Sequence, residues 1–253
     1  MLAKIKSPYC FKFIVSNFLK EKNCLSIFKY NKNYQKKLGL SIDYYKKYFY
    51  QIEIEIIQIN PLKEEKNIFV QLKRVSKCFY HIYINDKETE KNYITNNEYN
   101  KTPKIKIIID EGVFSLEGLF KNCKSIQEIN FTRFNRDNIY NMYEMFHGCE
   151  SLNKLNIKKL ITNNVEDMGG MFYGCSSLKE LDLNNFIFNK VDNTFEMFAF
   201  CTSLNKIEMN NFVVNHKMNT RFMFSHCSEE LKDTIMKQFK DLEEISFYNY
   251  IEE

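Results

Sequence analysis

The chain has 253 residues, 44% of them hydrophobic and 27% charged, with a net charge of +4 from 36 basic and 32 acidic side chains. Such a composition can bury a sizeable core, and its charge is too balanced to predict nucleic-acid binding. No apolar run approaches the ~20 residues of a spanning helix, and neither a cleavable leader nor a lipidation signal is read at the ends, so the sequence predicts a soluble, cytoplasmic protein.

Residues 1–48 predict a helical N-terminal segment. "PYCFKFIVSNFLKEK" sets Phe11, Ile14, Val15, Phe18 and Leu19 on one face, and "LSIFKYNKNYQKKLG" follows with Leu25, Phe28 and Leu38 before the C-capping Gly39. Ser41 caps a short third helix, "IDYYKKYFY". Residues 49–103 predict a small β-rich region. There "YQIEIEIIQI" alternates Ile52, Ile54 and Ile56 with Glu53 and Glu55, and "NIFVQLKRV" and "CFYHIYIND" read as further strands. "KIKIIID", residues 104–110, is predicted to open a repeat region, 104–253, and to cover its N-terminal end.

The repeat has a period of 26 residues: "LFKNC", "MFHGC", "MFYGC", "MFAFC" and "MFSHC" end at Cys123, Cys149, Cys175, Cys201 and Cys227. Phe120, Phe146, Phe172, Phe198 and Phe224 precede those cysteines by three positions. An L-x-x-L-x-L segment follows each of the first four: Ile126, Ile129, Phe131; Leu152, Leu155, Ile157; Leu178, Leu181, Leu183; Leu204, Ile207, Met209. A further column runs Phe134, Leu160, Phe186 and Phe212. This spacing predicts an α/β repeat, a leucine-rich-repeat solenoid with one short parallel strand per unit and the Met-Phe-x-x-Cys stretch as a short helical turn pointing inward. One unit cannot bury its apolar side alone; each copy completes the core of the next. At residue 230 the Leu column meets Glu, and "EELKDTIMKQFKDLEEISF" carries a helical period through Leu231, Ile235, Met236 and Phe239 before the pattern resumes at Leu242, Ile245 and Phe247. Residues 228–253 are therefore predicted to form a C-terminal helix and strand cap.

The unit V-x-x-M-x-x-M-F-x-G-C-x-S-L-x-x-L-x-L-x-x-F, carried by "NIYNMYEMFHGCESLNKLNIKKL" and "NVEDMGGMFYGCSSLKELDLNNF", resembles the BspA-like leucine-rich repeat over about residues 110–228. That resemblance implies a surface or secreted protein binding other macromolecules, whereas no export signal is read here. Within residues 8–38, Pro8, Ile14, Leu19, Leu25 and the "KYNKNYQKKL" run faintly resemble an F-box. That likeness implies an alternative: an adaptor of a ubiquitin ligase whose helices hold a Skp-type subunit.

Catalytic and metal chemistry find little support. There is no C-x-x-C pair, His81, His147, His216 and His226 are scattered, and no P-loop, G-x-G-x-x-G, H-E-x-x-H or G-x-S-x-G occurs. The five aligned cysteines are predicted to be a reduced, buried ladder. His147 and His226 fall where other copies carry Tyr173 or Gly174, so they read as outer-turn positions. No catalytic residue, metal or cofactor is predicted, and the chain reads as a non-catalytic protein-binding scaffold.

Binding by such a solenoid defaults to the outward strand residues on its concave face. These are Glu128, Asn130 and Thr132; Lys154, Asn156 and Lys158; Glu180, Asp182 and Asn184; Lys206, Glu208 and Asn210. The column Glu128, Lys154, Glu180, Lys206 alternates in sign, as neighbouring strands favour. Trp, Tyr and Arg anchors of a tight interface are scarce on this face.

Overall fold

The computed structural model describes residues 50–59, 66–72, 78–95 and 103–250. The predicted helices of residues 1–48, including the F-box-like stretch 8–38, lie outside the described residues. Ile52–Glu253 forms one compact unit.

Its elements are β1 (Ile52–Ile59), β2 (Lys66–Ile68), β3 (Tyr80–Ile84), β4 (Lys87–Thr89), β5 (Tyr93–Thr95), β6 (Ile105–Ile109), β7 (Ile126–Arg133), β8 (Lys154–Asn156), β9 (Glu180–Asp182), β10 (Lys206–Glu208), helix α1 (Glu229–Gln238) and a 3-10 turn (Glu244–Phe247). A six-stranded sheet runs β4-β3-β6-β1-β7-β8, beside two-stranded sheets β10-β9 and β2-β5. Alternation makes these strands: Ile52, Ile54 and Ile56 of β1 and Ile105, Ile107 and Ile109 of β6 are buried, while Glu53 and Glu55 face the other side. Asn85 and Asp86, with φ of 50° and 62°, turn β3 into β4. Both central residues of such a two-residue hairpin take the left-handed region.

The predicted leucine-rich-repeat solenoid, with one parallel strand per unit, is not the architecture. Antiparallel pairing dominates the large sheet, where only β7 and β8 run parallel, and β9 and β10 pair in a separate sheet. The reason lies in strand length and neighbours. After the first unit the strands are three residues long, and the row breaks between β8 and β9. The free edge of β7 pairs antiparallel with β1, matching Ile54 to Phe131 and Ile56 to Ile129. So β1 covers the first repeat strand, and the segment 104–110 expected there pairs instead between β3 and β1.

The 26-residue period is expressed chiefly outside the strands, in the turn ahead of each cysteine. Leu116, Gly118, Phe120 and Asn122 donate their N–H groups to the carbonyls of Asn141, Tyr143, Met145 and His147 in the next copy at 2.7–2.9 Å. The intervening Leu119, Lys121 and Cys123 donate backwards within their own turn, to Leu116, Gly118 and Phe120. The same rungs recur in the following copies, for example Phe146 to Met171, Phe172 to Met197 and Phe198 to Met223. Alternation between donating ahead and donating back accompanies left-handed backbone at two positions per turn. Gly118, Glu144, Gly170, Glu196 and Phe222 form one such column and Asn122, Gly148, Gly174, Phe200 and His226 the other, all with φ between 52° and 68°. The expected helical turn is therefore a run of linked turns, because left-handed residues four apart interrupt any helix.

Inside these turns Phe120, Phe146, Phe172, Phe198, Phe224 and Phe247 stack face to face, with ring centroids 5.3–5.6 Å apart. Each such pair contributes roughly 0.5–1.5 kcal/mol beyond its burial. Beside them Ser115, Asn141, Asp167, Asn193 and Asn219 form a column of parallel bridges, and their side-chain oxygens accept the N–H two residues on. A polar column thus serves as a turn brace in every copy.

Both ends of the turn ladder are satisfied by the chain itself. At the early end Gln71 donates its backbone N–H to Leu119 O at 2.8 Å and its amide to Lys121 O at 2.8 Å. At the late end Phe222 and Phe224 donate to Ile245 and Ser246, and His226 N–H to Asn249 Oδ1 at 2.6 Å. Helix α1, capped by Ser228, precedes this closure, but the strand predicted at Leu242, Ile245 and Phe247 is the 3-10 turn instead. With no further strand to pair, that segment supplies carbonyls to the turn ladder, and Phe247 joins the phenylalanine stack instead of the leucine column.

Candidate interaction surface

The strand-face residues singled out from sequence lie along β7 to β10 and the residues just after them, and they largely satisfy one another. Glu128 meets Lys154 at 3.7 Å, and Lys158 reaches across the break between sheets to Asp182 at 3.4 Å. Thr132 donates to Glu53 O at 3.2 Å, and Asn156 Oδ1 accepts Lys158 N–H at 3.4 Å. Asn130 sits opposite Glu55 and Asn156 in register. Glu180 faces Lys206 across β9 and β10, yet the Lys206 ammonium turns to Glu208 at 2.6 Å, and that hydrogen bond raises its pKa. Asn184 donates to Glu208 at 3.1 Å and accepts Asn210 N–H at 3.1 Å. The alternating column therefore closes at Glu128 and Lys154 but not at Glu180 and Lys206, and the pairs formed are each worth little where exposed.

On β1, Glu53 is held between Lys106 at 3.0 Å and Arg133 at 2.6 Å, tying three strands together on the same side. Sequence reading did not find this clasp, because β6, β1 and β7 are neighbours only in space.

A second surface was missed altogether: the outward side of the turn ladder. His147 stacks on Tyr173 at 4.4 Å, Tyr173 packs on Phe200 at 5.1 Å, and Phe200 stacks on His226 at 4.2 Å. Tyr250 packs against Phe222 at 5.1 Å, and Phe222 against Phe195 at 6.1 Å. All of these rings are half-buried. The row shifts by one position between Tyr173 and Phe200, so no single sequence column displays it. Burial pulls the His147 pKa down, against the opposing charge of Glu144. Burial first, then hydrogen bonding to Glu196 and Tyr173, raises the Tyr250 pKa. Lys121 forms an ion pair with Glu144 on the same side.

A third feature is a cavity of about 830 Å³ lined by Leu72, Cys78, Tyr80, His81, Ile82, Glu88, Thr89 and Glu90. His81 lies there between two carboxylates, with Nδ1 3.0 Å from Glu88 and Nε2 3.2 Å from Asp110. Neutral imidazole offers one donor, so both contacts together require the protonated ring. Arg136, buried close by, donates from Nη1 to Asp110 O at 2.9 Å, and burial lowers its pKa to about 10. This arrangement ties β3, β4 and the residue after β6 together; His81 is a clasp whose two nitrogens are both engaged. Among the described residues no cluster of three or more His, Cys, Asp or Glu side chains could hold a metal ion. No helix among them is long and apolar enough to cross a membrane.

No curated protein and no solved structure matches the chain. Residues 114–238, which include all five cysteine turns and helix α1, match the family described as "Mycoplasma protein of unknown function, DUF285".

Proposed function

We propose that this chain is a cytoplasmic, non-catalytic scaffold that binds a protein partner through the outward side of its turn ladder. The observation carrying this reading is the half-buried row His147, Tyr173, Phe200, His226 and Tyr250. Aromatic side chains of that kind anchor interfaces, because they bury a large area with little rotamer entropy. The strand face offers less: Glu128, Lys154, Lys158, Asp182, Lys206 and Glu208 are already in ion pairs, and it lacks rings. The resemblance of the repeat to BspA-like proteins supports the same reading, since proteins of that kind bind other macromolecules.

Capture by the full chain tests this. Partners held by the wild type are expected to be lost with Tyr173→Ala/Phe200→Ala and kept with Lys154→Glu/Lys158→Glu/Lys159→Glu. Loss only with the strand-face triple variant would return the site to β7 and β8. Turnover of a substrate by the purified chain would overturn the non-catalytic reading.

A further inference from the structure

We infer that Arg136 anchors a binding site for a small oxyanion, a carboxylate or phosphate group taken by the side-on fork of its guanidinium. This site is separate from the aromatic surface and stands whether or not that surface holds a protein.

Three observations carry it. First, one end of the guanidinium is satisfied and its fork is not. Nη1 donates to Asp110 O at 2.9 Å, whereas Nε and Nη2 are buried with no hydrogen-bond partner among the described residues. Arg136 is 3% exposed, so bulk water does not serve them either. A buried charged donor without an acceptor is costly. The Nε–H and one Nη2–H lie parallel on one edge of the planar group, and that edge matches two oxygens of a carboxylate or a phosphate.

Second, the repeat does not require a cation here. At the 26-residue spacing Arg136 corresponds to Thr162, Phe188 and Val214. Thr162 and Phe188 are buried, and the Thr162 hydroxyl donates to Ile187 O and accepts Ile187 N–H in the next copy. Uncharged side chains therefore fill the same place elsewhere, and the first copy alone puts a guanidinium into that column. Burial lowers its pKa only to about 10, against the charges of Tyr80, Glu111 and Asp110, so it is charged at neutral pH. Asp110 turns its carboxylate to His81, and Glu111 is exposed; neither fills the fork.

Third, the cavity of about 830 Å³ lies beside it. Tyr80 lines that space, and burial pushes its phenol up to about 12 while the Arg136 charge draws it back. The guanidinium is thus within electrostatic reach of the cavity wall. A space of this volume accommodates a small organic acid or a phosphate ester. Glu88 and Glu90 on the lining are exposed, so solvent screens their repulsion of an anion, and Glu88 is also engaged by His81.

The test uses the full chain labelled with nitrogen-15 and follows the arginine Nε–H resonances during titration with sodium phosphate, sodium acetate or sodium chloride at matched ionic strength. The chain has four arginines, and the Arg136 signal is assigned by its absence from Arg136→Lys. Phosphate, acetate or both are expected to shift that signal saturably and to raise the melting temperature with concentration, while chloride does neither. Response to acetate alone assigns the site to carboxylates, and response to phosphate alone to phosphate groups. Arg136→Lys keeps the charge but loses the fork, and is expected to weaken the melting response by at least about tenfold in concentration. Arg136→Met is expected to melt no lower than the wild type without anion, since it removes the orphaned donors, and to show no response. Lys154→Glu/Lys158→Glu/Lys159→Glu is expected to respond as the wild type does. An Arg136 resonance indifferent to both oxyanions, an equal shift with chloride, or a response that survives in Arg136→Met overturns the proposal.

Discussion

The Cys175 thiol donates to the carbonyl of Phe146, 29 residues back, at 3.2 Å. Cys149, Cys201 and Cys227 repeat this with Phe120, Phe172 and Phe198 at 3.0–3.1 Å. Each of these carbonyls already accepts the N–H of the cysteine three residues on, so the thiol fills its second lone pair from the neighbouring copy. Cysteine suits the position because it is small, apolar and still a donor. Cys175→Ala should therefore cost about 1–2 kcal/mol, from lost burial and a lost hydrogen bond. Cys175→Ser, which keeps a donor, should cost less; denaturant titration of the two variants checks the order.

Glycine is replaceable to different degrees at two positions of one column. Gly148 and Gly174 have φ of 68° and 67°, and a Cβ at 174 would meet nothing nearer than 3.7 Å. Gly174→Ala should lose about 1–2 kcal/mol from the left-handed backbone alone. At Gly148 a Cβ would fall 2.4 Å from Asn122 Oδ1, so Gly148→Ala should lose more. Adding Asn122→Gly should restore the difference; a double variant no better than Gly148→Ala would contradict the contact.

The two clasped nitrogens of His81 give stability a pH dependence. Burial pulls its pKa down, but hydrogen bonds and charge from Glu88 and Asp110 outweigh this, and the folded value is raised. A raised folded pKa means that the contribution is complete below the unfolded value, near 6.5, and is lost as pH rises through the folded value. His147 works in the opposite sense: burial lowers its folded pKa, so its stability is lost as pH falls. The stability gap between wild type and His81→Gln should be widest below about pH 6.5 and close towards alkaline pH. A gap that widens on raising the pH would refute the clasp.

Asn249 closes the late end. Its Oδ1 accepts His226 N–H at 2.6 Å and the Lys232 ammonium at 2.9 Å, and Lys232 is only 3% exposed. Asn249→Ala orphans the His226 N–H and leaves the Lys232 ammonium with Glu229 at 3.0 Å, and should cost about 1–2 kcal/mol. Asn249→Asp keeps the acceptor and adds opposite charge, so thermal melts should place it at or above the wild type.

The columns of Phe120, Cys123, Ile126 and Phe134 could be read from sequence because every copy buries the same apolar positions. Where the hydrogen bonds go could not be. Alternation marks Ile52, Ile54 and Ile56 as a strand without naming β7 as the neighbour. Left-handed backbone at Glu144, Glu196, Phe200 and Phe222 is invisible in the letters, since none is glycine; only Gly118, Gly148, Gly170 and Gly174 hinted at it. The brace column Ser115, Asn141, Asp167, Asn193 and Asn219 was legible at the 26-residue spacing but is polar, and the eye for core residues passes over it. Phe247 was misplaced because after the inserted helix a leucine-like spacing and the phenylalanine stack cannot be told apart by sequence. The aromatic surface straddles two columns, which hides it from any alignment of copies.

Stacked copies that place one cysteine of each inside the phenylalanine ladder form the centre of this account, and thiol labelling with peptide mapping tests it most directly. Cys78 is exposed, whereas Cys123, Cys149, Cys175, Cys201 and Cys227 are buried, and burial raises their thiol pKa values, that of Cys227 to about 12. In the native protein Cys78 should label fast and the five ladder thiols only as the fold opens. Labelling of Cys149, Cys175 or Cys201 at the rate of Cys78 would contradict the stack.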